Sequence, residues 1–172
     1  MPPAAGVDDG AGLRPWVCAG AAFLFAVLWM DLMFDVTVLA TPDAAAALPE
    51  AALASIAGYY RRVTTDAAPM GHLIALVMVA TFVATLLQAR RAGGPIWLRV
   101  LPPLLVFMPT SLALTRVVPN AVLLGARSVS DVEQSALART ILVEHLFCLA
   151  CIALLLLLEL SGFSRARSRL SD

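Results

Sequence analysis

The 172-residue chain has no lysine, two histidines, two tyrosines and three cysteines, and only 14% of its residues are charged. A soluble domain carries about 25% charged residues, so this scarcity excludes an ordinary globule with a water-facing surface. Twelve arginines balance twelve acidic residues. That leaves no basic field to hold a polyanion, which excludes nucleic acid as a partner. Internal repeats and low-complexity linkers are also missing. What abounds is apolar: 60% of the residues are hydrophobic and the mean hydropathy is +0.87. Long apolar runs broken by short arginine-bearing loops mark a chain whose solvent is lipid.

A hydrocarbon core of roughly 30 Å needs about 20 apolar residues per helix. Four runs meet that length, at 16–40, 71–89, 96–118 and 138–160. In lipid each backbone polar group must be satisfied within its own segment, so these runs form helices. The sequence therefore predicts an all-α fold, a four-transmembrane-helix bundle with an outward-side amphipathic helix between helices one and two. That amphipathic helix is read from Pro49, Leu53, Ile56, Tyr60 and Val63 at helical spacing, with Tyr59, Arg61 and Arg62 beside them. Residues 1–12 are expected as a disordered tail, 13–162 as one membrane domain and 163–172 as a basic cytoplasmic tail. Ser130 and Glu133 form a capping-box pattern that starts the fourth helix before the bilayer. Pro102, Pro103, Pro109 and Pro119 predict kinks in the third, where Thr110, Ser111 and Thr115 can meet freed carbonyls.

Seven arginines fall on the side of the termini (Arg14, Arg90, Arg91, Arg99, Arg165, Arg167, Arg169), against five opposite (Arg61, Arg62, Arg116, Arg127, Arg139). The positive-inside bias then puts both termini in the cytoplasm. Arginine as the sole basic residue, with abundant alanine, fits a GC-rich genome and a bacterial inner membrane.

Within or beside the spans the ionisable residues read as Asp31 and Asp35 in helix one, His72 opening helix two, Arg116 closing helix three, and Glu144 and His145 in helix four. At 1.5 Å per residue, Asp35 lies about 7 Å, and Glu144 about 9 Å, below the outward ends of their helices. His72, Arg116 and Asn120 are delivered to the same layer. An Asp near a span centre costs about 2.5–3.5 kcal/mol, so such groups face a bundle interior, pair with one another and mark function. Asp31 and Asp35, four residues apart, share a helix face and are expected to pair with Arg116 or a histidine. The prediction is an enclosed polar pocket in the outer half. Asp31, Asp35 and His145 would handle protons, and His72, Arg116, Asn120 and Glu144 would bind substrate. The structural alternative is that Arg116 bridges Asp35 only to hold helices together, with His72 and Glu144 at the interface.

These side chains are donors that Zn, Mn or non-haem Fe accepts, but their spacing matches no metal motif. Adjacent Glu144 and His145 diverge by about 100° on a helix and make poor joint ligands. No metal site is predicted and the cofactor is left unassigned. Without one, a histidine beside a carboxylate suits general acid–base chemistry near neutral pH on an apolar substrate. Cys148 and Cys151 form a CxxC. The pair resembles that of the vitamin K epoxide reductase family, but the partner cysteines which that family carries in the loop after helix one are missing, and packing is the preferred reading.

The four-helix order, the long outward loop after helix one, Val118-Pro119-Asn120 with Leu123 at the end of helix three, and His145 in helix four resemble the anthrone oxygenase-like family of small membrane proteins. The resemblance covers about residues 16–160. Between its proline and asparagine that family tends to insert a residue, and it flanks the histidine with tryptophan and arginine; this chain does neither. The resemblance implies oxygenation of a polycyclic or other apolar molecule without a haem or flavin motif, with Asn120 and His145 as the positions carried over. Beside this oxidoreductase-like enzyme stand two other readings: a non-enzymatic membrane subunit or small-molecule or proton carrier, and a homo-oligomer assembled through Gly20, Ala21, Ala22 and Ala26.

Overall fold

In the computed structural model, residues 12–43, 46–91 and 96–168 are described. Among them the chain is helical, with no strand. Helix α1 (Arg14–Asp35) continues as a 3-10 turn over Val36–Ala40, and α2 (Glu50–Arg61) follows after a short loop. A π turn (Arg62–Asp66) leads to α3 (Ala68–Arg91) and then α4 (Ile96–Leu112). A second π turn (Ala113–Val117) joins α4 to α5 (Val118–Ala126), and α6 (Asp131–Ser168) closes the described chain. Four segments are long and apolar enough to cross a membrane: Arg14–Ala40, Pro69–Arg91, Arg99–Ala126 and Asp131–Ser161.

Of the two expected tails, residues 1–11 and 169–172 lie outside the described residues, and the backbone of 163–168 continues α6. The fourth helix starts where its cap dictates. The backbone N–H of Ser130 donates to Glu133 Oε2 at 3.0 Å and the N–H of Glu133 donates to Ser130 Oγ at 3.4 Å. Pro102, Pro103 and Pro109 sit inside α4 without ending it. The helix widens instead at Ala113–Val117, just before Pro119, whose missing N–H cannot continue an α-helical ladder. Thr115 Oγ1 donates to the Ser111 carbonyl there at 2.7 Å, one of the three hydroxyls expected to serve this stretch.

Two clusters form the core. Val17, Ala21 and Leu24 of α1 meet Leu105 and Val106 of α4 and Ile152 and Leu155 of α6 toward the end where α1 starts and α6 finishes. Toward the other end, α2 lays Leu53, Ile56 and Tyr60 against Leu32, Ala121, Leu124, Ala138 and Ile141. Helices α1 and α6 run antiparallel, because Arg14 Nε donates to Glu159 Oε2 at 3.2 Å at one end while Asp35 meets His145 at the other. The start of α1 and the finish of α6 are therefore neighbours. The small residues of α1 are partly consumed within the chain: Gly20 lies against Thr81 of α3 and Ala21 is buried, while Ala22 and Ala26 are exposed.

The loop ahead of α2 is clasped to α6. Arg139 donates to the carbonyls of Thr41, Asp43 and Ala46 at 3.3, 2.8 and 3.2 Å, and the N–H of Leu48 donates to Ser135 Oγ at 2.9 Å. A bidentate pair between Arg127 and Glu50, at 2.5 and 2.7 Å, ties the start of α2 to the α5–α6 turn and holds the Glu50 carboxyl below its usual range. With its start fastened in this way, α2 lies as a cover over α1, α5 and α6.

Candidate active site

Under α2 the acidic residues of α1 meet the histidine of α6. Asp35 has no exposed surface, and His145 and Asp31 are 5% and 9% exposed. His145 Nδ1 lies 2.6 Å from Asp35 Oδ2. The carboxylate accepts, so Nδ1 carries the proton, and in the neutral imidazole Nε2 keeps its lone pair. Nε2 in turn lies 3.8 Å from Asp31 Oδ2, close enough for charge interaction and too long for a hydrogen bond. Asp31 and Asp35, one helical turn apart, thus approach the two ring nitrogens of a single imidazole.

Each carboxylate is held by a tyrosine of α2. The Tyr60 hydroxyl donates to Asp35 Oδ1 at 2.6 Å and the Tyr59 hydroxyl donates to Asp31 Oδ1 at 2.5 Å. Tyr59 also stacks on Phe34 of α1, with ring centroids 4.0 Å apart. Burial, reinforced by the adjacent carboxylates, pushes both phenols far above their ordinary range, so each remains a proton donor to its aspartate.

His145 and Asp31 form part of the wall of a cavity of about 400 Å³ that extends from α2 between α1, α3, α4, α5 and α6. Tyr60, Thr64 and His72 add polar groups at the α2 end, while Leu24, Met78 and Ile152 make the deep end apolar. This arrangement suits a molecule with one polar end and an apolar body, presented to a histidine base.

Of the seven residues expected to share a pocket, Asp31, His72 and His145 line the cavity and Asp35 supports His145 from behind. Arg116, Glu144 and Asn120 do not line it. Glu144 is next to His145 on α6, so with His145 turned to Asp35 it points about a quarter-turn away. It is met there by Arg116, whose Nε lies 2.7 Å from Glu144 Oε1. The contact is an ion pair without hydrogen-bond alignment, since neither oxygen of the buried Glu144 carboxylate has a hydrogen-bond partner. Arg116 is therefore bound to Glu144 and not to Asp35. Asn120 precedes Ala121, and it is Ala121 that reaches the cavity. Cys148 lines the cavity one turn beyond His145, whereas Cys151 does not. Among the described residues no three His, Cys, Asp or Glu side chains converge as metal ligands.

Sequence reasoning missed the two tyrosines as site residues. The signal was present, because Tyr60 falls on the buried Leu53–Ile56 face of α2, but a tyrosine beside arginines also reads as an interfacial anchor. It also missed Glu159, which is 3% exposed and accepts from Arg14 and from Gln88 Nε2 near the other end of α6.

Comparison with protein-family models, with curated proteins and with solved structures finds no match to this chain.

Proposed function

We propose that the protein is a small integral-membrane enzyme that removes a proton from an apolar small molecule and passes the resulting carbanion to dioxygen. In this reading the four apolar segments form a bundle in a bacterial inner membrane, with both termini in the cytoplasm and α2 covering the outer end. The observation that carries it is the placement of His145, backed by Asp35 and lining a largely apolar cavity. Intramembrane ionisable groups are costly, and a buried histidine between two carboxylates, each fixed by a phenol, is organised beyond what helix packing requires. The resemblance to the anthrone oxygenase-like family at His145 points to the same substrate class.

The chemistry suits a methylene acidified by a neighbouring carbonyl. His145 Nε2 takes the C–H proton, and Asp35 stabilises the imidazolium that forms while Tyr60 keeps the carboxylate in place. The carbanion adds to O2 and the peroxide regains the proton. Loss of water then leaves a ketone, so that CH2 and O2 become C=O and H2O. The desolvated cavity strengthens each of these charge interactions.

The test uses the full chain in phospholipid nanodiscs with anthrone, a planar tricyclic ketone with such a methylene. Wild type should exchange that methylene with solvent deuterium under anaerobic conditions and consume one O2 per anthraquinone formed in air. His145→Gln should slow both by about 10²–10⁴-fold, the usual contribution of a positioned base. Equal rates for the variant and wild type would overturn the proposal.

A further inference from the structure

The cavity is not sealed on all sides. Helix α3 packs along α1 and α4, while α5 packs on α2 and α6 without forming a comparable seam with α3. Between α3 and α5 several residues both line the cavity and remain exposed. His72 and Ala75 form one jamb. Leu114, Val118 and Val122, which are 62%, 47% and 44% exposed, form the other. These positions lie within the segments long and apolar enough to span a membrane, so what faces the opening is lipid.

We infer that this gap is a lateral window through which an apolar molecule bearing a single polar end passes from the bilayer into the cavity. The chemistry of the walls selects that class. The jambs are small or aliphatic except for His72, which offers an imidazole at the mouth on the α2 side. Inside, the polar groups Asp31, Tyr60, Thr64 and His145 gather under α2, and the rest of the wall is apolar apart from the Thr110 hydroxyl and the Cys148 thiol. A charged, water-soluble molecule would have to cross the aliphatic jambs. A lipid-dissolved phenol or ketone crosses them without desolvation cost and gains hydrogen bonds only on arrival. Ala75 and Val118 then set the width that a substrate body must fit. This inference rests on the acid–base reading for the identity of the reacting group, but the route itself is read independently.

Cys148, inside the cavity, provides the probe. In a chain carrying Cys18→Ser and Cys151→Ser it is the sole cysteine. In nanodiscs, apolar benzyl methanethiosulfonate should label it at least tenfold faster than the cationic trimethylammonioethyl reagent. Ala75→Trp and Val118→Trp, on opposite jambs, should each slow the benzyl reagent about tenfold. Leu76→Trp, at an exposed position outside the cavity wall, should leave the rate unchanged. The window is overturned if Cys148 fails to react with the benzyl reagent, if the cationic reagent keeps pace, or if both jamb variants label as fast as the Leu76 control. Labelling needs no turnover and leaves His145 intact. Window-dependent labelling without deuterium exchange in anthrone therefore overturns the acid–base reading alone, and exchange with window-independent labelling overturns the window alone.

Discussion

Asp35 and His145 are 110 residues apart in the chain and meet at 2.6 Å, and the Tyr60 hydroxyl occupies the other oxygen of the same carboxylate. The aspartate thereby fixes both the tautomer and the direction of the imidazole. Asp35→Asn keeps an oxygen to accept from Tyr60 but removes the charge that stabilises an imidazolium. Deuterium exchange into anthrone should fall about 10²-fold or more, with little change in helix content by circular dichroism. A rate within tenfold of wild type would refute a supporting role for Asp35.

The two tyrosines offer a clean pH measurement, since Tyr59 and Tyr60 are the only tyrosines in the chain. Burial and the neighbouring carboxylates raise both phenols above the ordinary value of 10.0. A group that binds its proton more tightly when folded contributes stability that is complete below its unfolded pKa and is lost as pH rises beyond it. Ultraviolet titration should therefore show no phenolate through about pH 11, and phenolate should appear together with loss of helix at higher pH. Ionisation near pH 10 in the folded protein would contradict the hydrogen bonds to Asp31 and Asp35.

Gly125 of α5 crosses the end of α2 so closely that an added Cβ would lie 2.7 Å from the Arg61 nitrogen and 3.0 Å from its Cα. Backbone cannot yield as a side-chain tip does. Gly125→Ala should cost about 1–3 kcal/mol and shift Tyr59 and Tyr60 from their aspartates, lowering exchange activity. Gly58→Ala, in α2 on the other side of this crossing and with nothing within 4 Å of the new Cβ, should stabilise α2 by up to about 1 kcal/mol. Thermal unfolding of the pair checks both, and similar losses for the two would count against the close crossing.

The spans were legible because lipid imposes a length and an apolar composition that few sequences meet by accident, and the capping box at Ser130 fixed the start of α6 from local chemistry alone. The meeting of Asp31 and Asp35 with a histidine followed from the cost of burying a charge. Which histidine, and which carboxylate Arg116 would take, did not follow. A quarter-turn separates Glu144 from His145, and only the rotation of α6 decides which of them faces Asp35. The role of Tyr59 and Tyr60 depended on how α2 docks, a tertiary relationship set by Arg127, Arg139 and Gly125 that no local pattern encodes. Glu159 near the terminal end of α6 was hidden by its apolar neighbours.

The pair of Arg116 and the buried Glu144 sits beside the site without entering the cavity. Removing the arginine leaves a desolvated carboxylate with no other partner, so Arg116→Met should destabilise by about 2 kcal/mol. Glu144→Gln should cost less, since it leaves the half-exposed arginine free to reach water or a headgroup. The double variant should recover most of the loss from Arg116→Met. A double variant less stable than either single one would mean that the two residues are not coupled as the geometry indicates.

Because Arg14 lies against Glu159, the start of α1 and the end of α6 share one end, and Ser128, between α5 and α6, is exposed near the opposite one. The proposed orientation rests on seven arginines against five. In cells carrying the chain with Cys18, Cys148 and Cys151 replaced by serine, Ser128→Cys should react with a membrane-impermeant maleimide, and a green fluorescent protein fused to the C-terminus should fluoresce. Replacing Arg90 and Arg91 with glutamine makes the count five against five, and the population should then divide between two orientations, with partial labelling and weaker fluorescence. A protected Ser128→Cys and a dark fusion in the unaltered background would invert the orientation. A labelling pattern unmoved by the arginine replacements would show that something other than these charges sets it.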